Sequence, residues 1–138
     1  MKLLVDANIL LDVLQAREPY LKDSSLIWKL CETGQVEGYV SALTFANLVY
    51  VMRKELDPKG IHEVLTKLQI IFHFAELSES DLKRAAGMEW KDFEDAIQCA
   101  TAERIGADFI VTRNVKDFVQ SKKVMAFTPS ELLERYFS

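Results

Sequence analysis

The chain has 138 residues, about the length of one domain, and its 49% hydrophobic and 28% charged residues exclude a disordered chain. Five glycines and three prolines are too few for a fibrous or loop-dominated protein. The formal net charge is −4, whereas a protein that holds a phosphate backbone by charge alone is normally basic. Any nucleic-acid role must therefore rest on a local basic patch or on bound cations.

The cysteines and the first residues bear on the cellular compartment. Cys31 and Cys99 lack CxxC spacing, so neither a disulfide framework nor a zinc site is expected. The apolar start of the chain stops at Asp6, too soon for a signal peptide, and no apolar run approaches the roughly 18 residues of a membrane span. We expect one soluble, cytoplasmic domain over residues 1–138.

Strand and helix patterns alternate along the chain. In chain order, the sequence predicts a strand at 3–5, helices at 9–14 and 20–32, a strand at 38–41, helices at 42–52 and 58–68, a strand at 70–74, helices at 78–88 and 92–105, a strand at 108–112, a short helix at 115–119, a strand at 124–126 and a helix from 129. This alternation predicts an α/β fold, a three-layer α/β/α sandwich around a mostly parallel sheet.

Polar side chains follow the predicted strands at one edge of that sheet. Asp6 follows the first strand directly, Asn114 lies two residues beyond Thr112, and Asp117 lies one helical turn further on. In open parallel sheets, ligands bind beyond the carboxyl ends of the strands. We therefore expect these three side chains to border a ligand crevice.

Two predicted helices bring further candidates to the same edge. Asn47 lies about a turn and a half into the helix after the second strand, and Asp92 and Asp95 share a face at the start of another. Clustered carboxylates repel each other unless a cation compensates them, and oxygen ligands without Cys or His suit Mg²⁺ or Mn²⁺. Arg113 and Lys116 flank the crevice and are the candidates for contact with phosphate.

Simpler roles remain open for two of the acids. Asp6 and Asp92 each precede a predicted helix, where aspartate is a favoured N-cap. Asp95 is harder to explain in this way, because its helix is apolar nearly all round and a buried charge usually has a partner or a metal.

Four segments, 3–12, 41–48, 92–102 and 110–118, together resemble the four motifs of PIN-domain nucleases in order and spacing. The resemblance covers essentially the whole chain and implies a Rossmann-like α/β/α sandwich, divalent-metal-dependent cleavage of RNA and frequent dimers. Small bacterial members resemble VapC-type toxins, which implies an antitoxin protein as partner.

The resemblance assigns roles to individual residues. Asp6 and Asp95 match the metal-ligating aspartates, and Asp92 is an extra acid beside the third motif. Asn114 falls where a fourth acidic residue often lies, and Asp117 could substitute for it from the next turn.

Asn47 departs from the family pattern, which usually has Glu at that position of the second motif. Glu94 is not expected to replace the missing carboxylate, since it precedes Asp95 by one residue and points elsewhere on the helix. Three alternatives follow: a weakened nuclease, a site in which Asp92 or Asp117 supplies the charge, or a degenerate domain that binds RNA or protein without cutting. An Asn47→Glu change would speed cleavage in the first case and not in the second.

Two further expectations concern assembly and chemistry. The helix after the second strand has more apolar residues than one core-facing stripe needs, which predicts a homodimer. These residues are Leu43, Phe45, Leu48, Val49, Val51 and Met52. A functional alternative of a different class, an aspartyl phosphohydrolase, would need a second Asp two residues after Asp6, where this chain has Asn8.

Overall fold

A computed structural model describes residues 1–138, in which five parallel strands form one sheet with helices on both faces. The elements are β1 (Lys2–Val5), α1 (Ala7–Leu14), α2 (Leu21–Glu32), β2 (Glu37–Ser41), α3 (Ala42–Met52), α4 (Pro58–Ile71), β3 (His73–Ala75), α5 (Glu79–Met88), α6 (Phe93–Arg104), β4 (Phe109–Val111), a 3₁₀ helix (Val115–Phe118), β5 (Met125–Phe127) and α7 (Pro129–Tyr136). The predicted α/β/α sandwich is confirmed.

The strand order β3-β2-β1-β4-β5 puts β1 at the centre of the sheet. The chain leaves β1 first toward β2 and β3 and later returns to β4 on the other side, so the order reverses between β1 and β4. Val5 pairs with Val111, and the Asp6 amide donates to the Val111 carbonyl at 2.9 Å. Asp6 and Thr112 therefore leave the sheet side by side at the reversal, where such folds form their crevices.

Alternating residues of the central strands supply two separate cores. Leu3 and Val5 of β1 pack into the larger apolar cluster, beneath helices that include α1, α2 and α4. Leu4 faces the opposite side and packs with Ile110 and with Ala102 of α6. All three β1 side chains are fully buried, which matches the continuous apolar run expected of a parallel strand covered on both faces.

The cap residues confirm most of the predicted helix boundaries. Ser41 accepts a hydrogen bond from the Thr44 amide, and Ser78 and Thr128 form reciprocal capping boxes. Gly34 and Gly106 follow α2 and α6 with φ values of 76° and 70°, the left-handed conformation that glycine adopts without strain. None of the helices combines the length and hydropathy that crossing a membrane requires.

The third strand was predicted too early in the chain. Residues 70 and 71 belong to the last turn of α4, and β3 begins only at His73. Leu68 is fully buried, Ile71 packs against the larger core and Ile70 is 80% exposed. Buried side chains three residues apart, with an exposed one between them, follow the period of a helix and not the alternation of a strand. A short apolar run does not distinguish a strand from the end of an amphipathic helix.

Most of the apolar side chains of α3 that were expected to remain outside the core pack inside the fold. Leu48 and Met52 are buried, and Phe45 and Val51 pack against the same core. Leu43 packs instead against the small cluster between α5 and α6. Leu43, Phe45, Val49 and Val51 nonetheless stay partly exposed, so the homodimer predicted from this helix remains a prediction. Tyr50, by contrast, is 58% exposed on α3.

Candidate functional site

Asp6 is at once a helix cap and the centre of a hydrogen-bonded cluster. Its Oδ1 accepts a hydrogen bond from the Ala7 amide at 2.8 Å, which caps α1, and its Oδ2 accepts one from the Thr112 hydroxyl at 2.8 Å. The side-chain amide of Gln98 lies 3.5 Å from Oδ1. Capping and a place in the crevice are therefore compatible roles, because the two carboxylate oxygens are used differently.

The start of α6 carries the other acids. The Asp92 side chain accepts a hydrogen bond from the Asp95 amide at 3.1 Å, so Asp92 is the predicted N-cap. Asp92 and Glu94 are exposed, whereas Asp95 is half-buried. Beyond Asp95 the helix is buried without interruption from Ala96 to Ala102, as its sequence predicted.

A groove of about 450 Å³ lies between the start of α6 and the 3₁₀ helix. Asp92 and Asp95 line one wall, and Lys116 and Asp117 line the other. Asn114 is exposed outside this groove, where its carbonyl accepts from the Asp117 amide at 2.9 Å. Of the two candidates after β4, Asp117 thus lines the groove with the acids of α6, whereas the Asn114 backbone amide donates at 3.1 Å to the Thr112 hydroxyl that in turn binds Asp6.

Burial and like charges both act on the carboxyls of this site. Burial, followed by repulsion from Asp92, Asp6, Asp117 and Glu94, raises the pKa of Asp95 to about 7. Burial also raises the pKa of Asp6, against the opposing effect of its hydrogen bonds from Thr112 and Ala7. None of these carboxylates takes part in any of the molecule's ion pairs. The site therefore has unneutralised negative charge.

The donor chemistry fits a hard divalent cation such as Mg²⁺ or Mn²⁺. No three Asp, Glu, His or Cys side chains lie close enough together to enclose an ion by themselves. Mg²⁺ does not need such a cage, because it usually takes one or two carboxylates and keeps several waters. In addition, the Oε1 atom of Gln98 is buried without a hydrogen-bond partner, although the amide that carries it lies against Asp6. An unpartnered buried oxygen at this place fits a site that takes a cation or its hydration shell.

Asn47 lies opposite α6 rather than at the groove between α6 and the 3₁₀ helix. Its Nδ2 is 3.5 Å from Oε2 of Glu94, across the gap between α3 and α6. Glu94, which is not expected from the sequence to replace the missing carboxylate, is therefore the residue that Asn47 meets, and only the packing of α3 against α6 reveals this contact.

Arg113 is placed differently from the RNA contact predicted for it. Its Nε donates to the buried Asp12 carboxylate at 3.0 Å, and its guanidinium stacks on the Tyr20 ring at 4.0 Å. It lines a separate cavity of about 220 Å³ between α2 and α7. Lys116, which is exposed at the acidic groove, is the better placed of the two for contact with a phosphate backbone.

Asp95→Asn should stabilise the metal-free protein increasingly as the pH rises. The folded-state pKa of Asp95, about 7, lies above the unfolded value of about 4, so ionising Asp95 costs stability between these two pH values. The variant should be more stable than the wild type by about 1–2 kcal/mol at pH 8, solvent screening included, and nearly equal to it at pH 4. Thermal unfolding in EDTA across this range measures the difference; one that does not vary with pH would contradict the prediction.

The fold and the site together define a parallel α/β/α domain with an acidic cleft at the carboxyl edge of its sheet. A family model described as PIN domain matches residues 2–116. The chain therefore belongs to the PIN-domain family, as its four motifs predicted. This membership leaves the aspartyl phosphohydrolase alternative without support. No curated protein matches the sequence at a significant level.

Solved structures of toxins and toxin–antitoxin complexes share this fold. VapBC-1 from nontypeable Haemophilus influenzae has a TM-score of 0.72 at 14% identity, over 94% of this chain and 99% of that one. A toxin–antitoxin complex from Klebsiella pneumoniae has a TM-score of 0.68 at 23% identity, over 91% and 96%. Mycobacterium tuberculosis VapC20, described as a toxin that cleaves the sarcin–ricin loop, has a TM-score of 0.63 at 10% identity, over 78% and 86%.

Proposed function

We propose that this protein is an endoribonuclease that depends on Mg²⁺ or Mn²⁺ and acts as the toxin of a toxin–antitoxin pair. The observation that carries the proposal is the approach of α6 to Asp6, which directly follows β1: the Gln98 amide lies 3.5 Å from Asp6 Oδ1, and Asp95 lies one turn before Gln98, beside Asp92 and Asp117. No basic side chain forms an ion pair with any of them. Such a site binds a divalent cation readily.

Each side chain has a distinct task in this proposal. Asp6 and Asp95 would hold the cation, while Asp92, which the sequence offers as a third ligand, would add negative charge beside them and Asp117 would add it from the opposite wall of the groove. When bound, the ion supplies an activated water and stabilises the charge that develops on a phosphodiester. The hydrogen bond from Thr112 fixes the orientation of Asp6, and Lys116 at the groove binds the backbone of the RNA.

The partners proposed are an RNA substrate, an antitoxin protein and a second copy of the chain. Similarity in fold to toxin–antitoxin complexes supports the antitoxin, and the VapC20 description supports RNA as the substrate class. For a homodimer, the apolar surface that remains after folding includes Tyr50 and Phe74, which are 58% and 43% exposed. Exposed aromatic side chains are enriched in protein interfaces.

A second candidate function is a PIN domain that binds RNA or a protein without cleaving it. The observation that favours it is Asn47, a neutral amide where the family usually has Glu. An amide oxygen can ligate a cation but brings no charge, so the site would hold the ion less tightly.

Titration with Mn²⁺ in a calorimeter, followed by cleavage of a mixed RNA substrate, tests both candidates. The wild type should bind Mn²⁺ and cut RNA. A double variant, Asp6→Asn with Asp95→Asn, should lose affinity by about 100-fold or more, since even the outer partners of bound metals contribute about 10- to 100-fold. It should also lose cleavage.

A matched control changes the net charge equally at a distance from the site. Asp23→Asn with Asp57→Asn serves this purpose, since Asp57 caps α4 and asparagine caps a helix equally well. Equal Mn²⁺ binding by the wild type and the site variant would refute the metal site. Specific binding of Mn²⁺ without any cleavage would favour the non-cleaving domain.

A further inference from the structure

Two contacts join one face of α6 to one face of α3. The Gln98 side-chain amide donates to the Thr44 hydroxyl at 2.9 Å, and the Asn47 amide lies 3.5 Å from the Glu94 carboxylate. Residues 94 and 98 are four apart on α6, and residues 44 and 47 are three apart on α3, so each pair lies on a single helical face. Glu94 therefore lies one turn from Gln98, the residue whose amide contacts Asp6.

We propose that Glu94 provides, from α6, the acidic side chain that this site lacks at Asn47, and that Asn47 holds it in place as a hydrogen-bond donor. The ligand is a hard divalent cation, and the inference rests on the proposed function, since that cation is the one held by Asp6 and Asp95. The charge of the site is thereby kept, although its source moves from α3 to α6.

The surroundings of Glu94 support this role over that of an ordinary surface residue. None of the molecule's ion pairs includes Glu94, so its charge is not committed elsewhere. The Asn47 amide occupies only one of its carboxylate oxygens and leaves the other free. One turn along the same face, the Gln98 Oε1 is buried without a partner, an independent sign that a cation or its hydration shell belongs here.

Exchanging the two side chains provides the test. Glu94→Gln should weaken Mn²⁺ binding by about 10- to 100-fold in calorimetric titration, the usual loss when a supporting partner of a metal site is removed. Asn47→Glu alone should bring no gain, because it places a second carboxylate against Glu94. The exchanged variant, Asn47→Glu with Glu94→Gln, should recover most of the wild-type affinity.

Glu63→Gln is the matched control, since Glu63 is exposed on α4 and takes part in no ion pair. Thermal unfolding in EDTA establishes that each variant is folded. Equal Mn²⁺ affinities for Glu94→Gln and Glu63→Gln, in a wild type whose binding is lost with Asp6→Asn and Asp95→Asn, would overturn the role of Glu94 alone. A wild type that binds no Mn²⁺ would overturn this role and the proposed function together.

Discussion

Replacing Arg113 by methionine is expected to lower the free energy of unfolding by about 3–5 kcal/mol, the usual cost of leaving one partner of a buried ion pair uncompensated. The Asp12 carboxylate is fully buried, and its Oδ2 is held by Arg113 Nε at 3.0 Å and by the Ser24 hydroxyl at 2.9 Å. Its Oδ1 already lacks a partner. Without Arg113, a single neutral hydrogen bond would remain for a buried charge. Urea denaturation at neutral pH measures the loss.

Two companion variants identify the cause of that loss. Asp12→Asn in the Arg113→Met background should recover part of the stability, because it removes the unpaired charge. Lys116→Met, which removes an exposed positive charge three residues away, should change stability by less than about 0.5 kcal/mol. If Arg113→Met were as mild as Lys116→Met, the Arg113 side chain would be free for RNA, as the sequence first suggested. The larger loss would instead identify it as a structural arginine.

Arg104→Met should cost a similar 3–5 kcal/mol or so, through the helix that carries the site. Arg104 on α6 forms several hydrogen bonds to Asp81 on α5, the shortest at 2.9 Å, and Asp81 is fully buried. Burial alone would raise the pKa of Asp81, but the hydrogen bonds and the charge of Arg104 outweigh it and lower that pKa. The Arg104–Asp81 ion pair holds α5 and α6 together, and so helps to position the start of α6 against the sheet.

Arg84→Met is a matched control at the same helix pair. Arg84 also joins α5 to α6, through Glu103, but its side chain is 43% exposed, and an exposed ion pair contributes about 1 kcal/mol at most. Equal losses in the two variants would contradict a special role for the buried pair. Asp81→Asn added to Arg104→Met should recover stability, because it removes the buried negative charge that Arg104 no longer pairs with.

The pH dependence of the Arg104→Met effect has a definite sign. A lowered folded-state pKa means that the Asp81 contribution is present above its unfolded pKa of about 4 and is lost as the pH falls further. In the variant, burial without Arg104 raises the pKa of Asp81. Asp81 is then protonated as the pH falls, and its buried, unpaired charge is removed. The stability difference between wild type and variant should therefore shrink from pH 7 to pH 4, as thermal unfolding at the two pH values would measure.

The sequence by itself determined the layered fold and its central acids. The apolar run before Asp6 identifies a strand buried on both faces, and the cap signals at Ser41, Ser78 and Thr128 fix where helices begin, because these are interactions among near neighbours in the chain. The position of Asp6 at the end of a strand, and of Asp95 at the start of a buried helix, follows from the same local patterns. Four such segments in order were enough to indicate the family.

Only the tertiary structure decided which distant side chains meet. The Asn47–Glu94 contact depends on the packing of α3 against α6, and the capture of Arg113 by Asp12 depends on the approach of β4 to α1. Whether the apolar residues 70 and 71 end α4 or begin a strand likewise depended on which of them packs against the core. Helical and strand periodicity give the direction of a side chain on its own element, whereas the partner it meets is set by how separate elements pack.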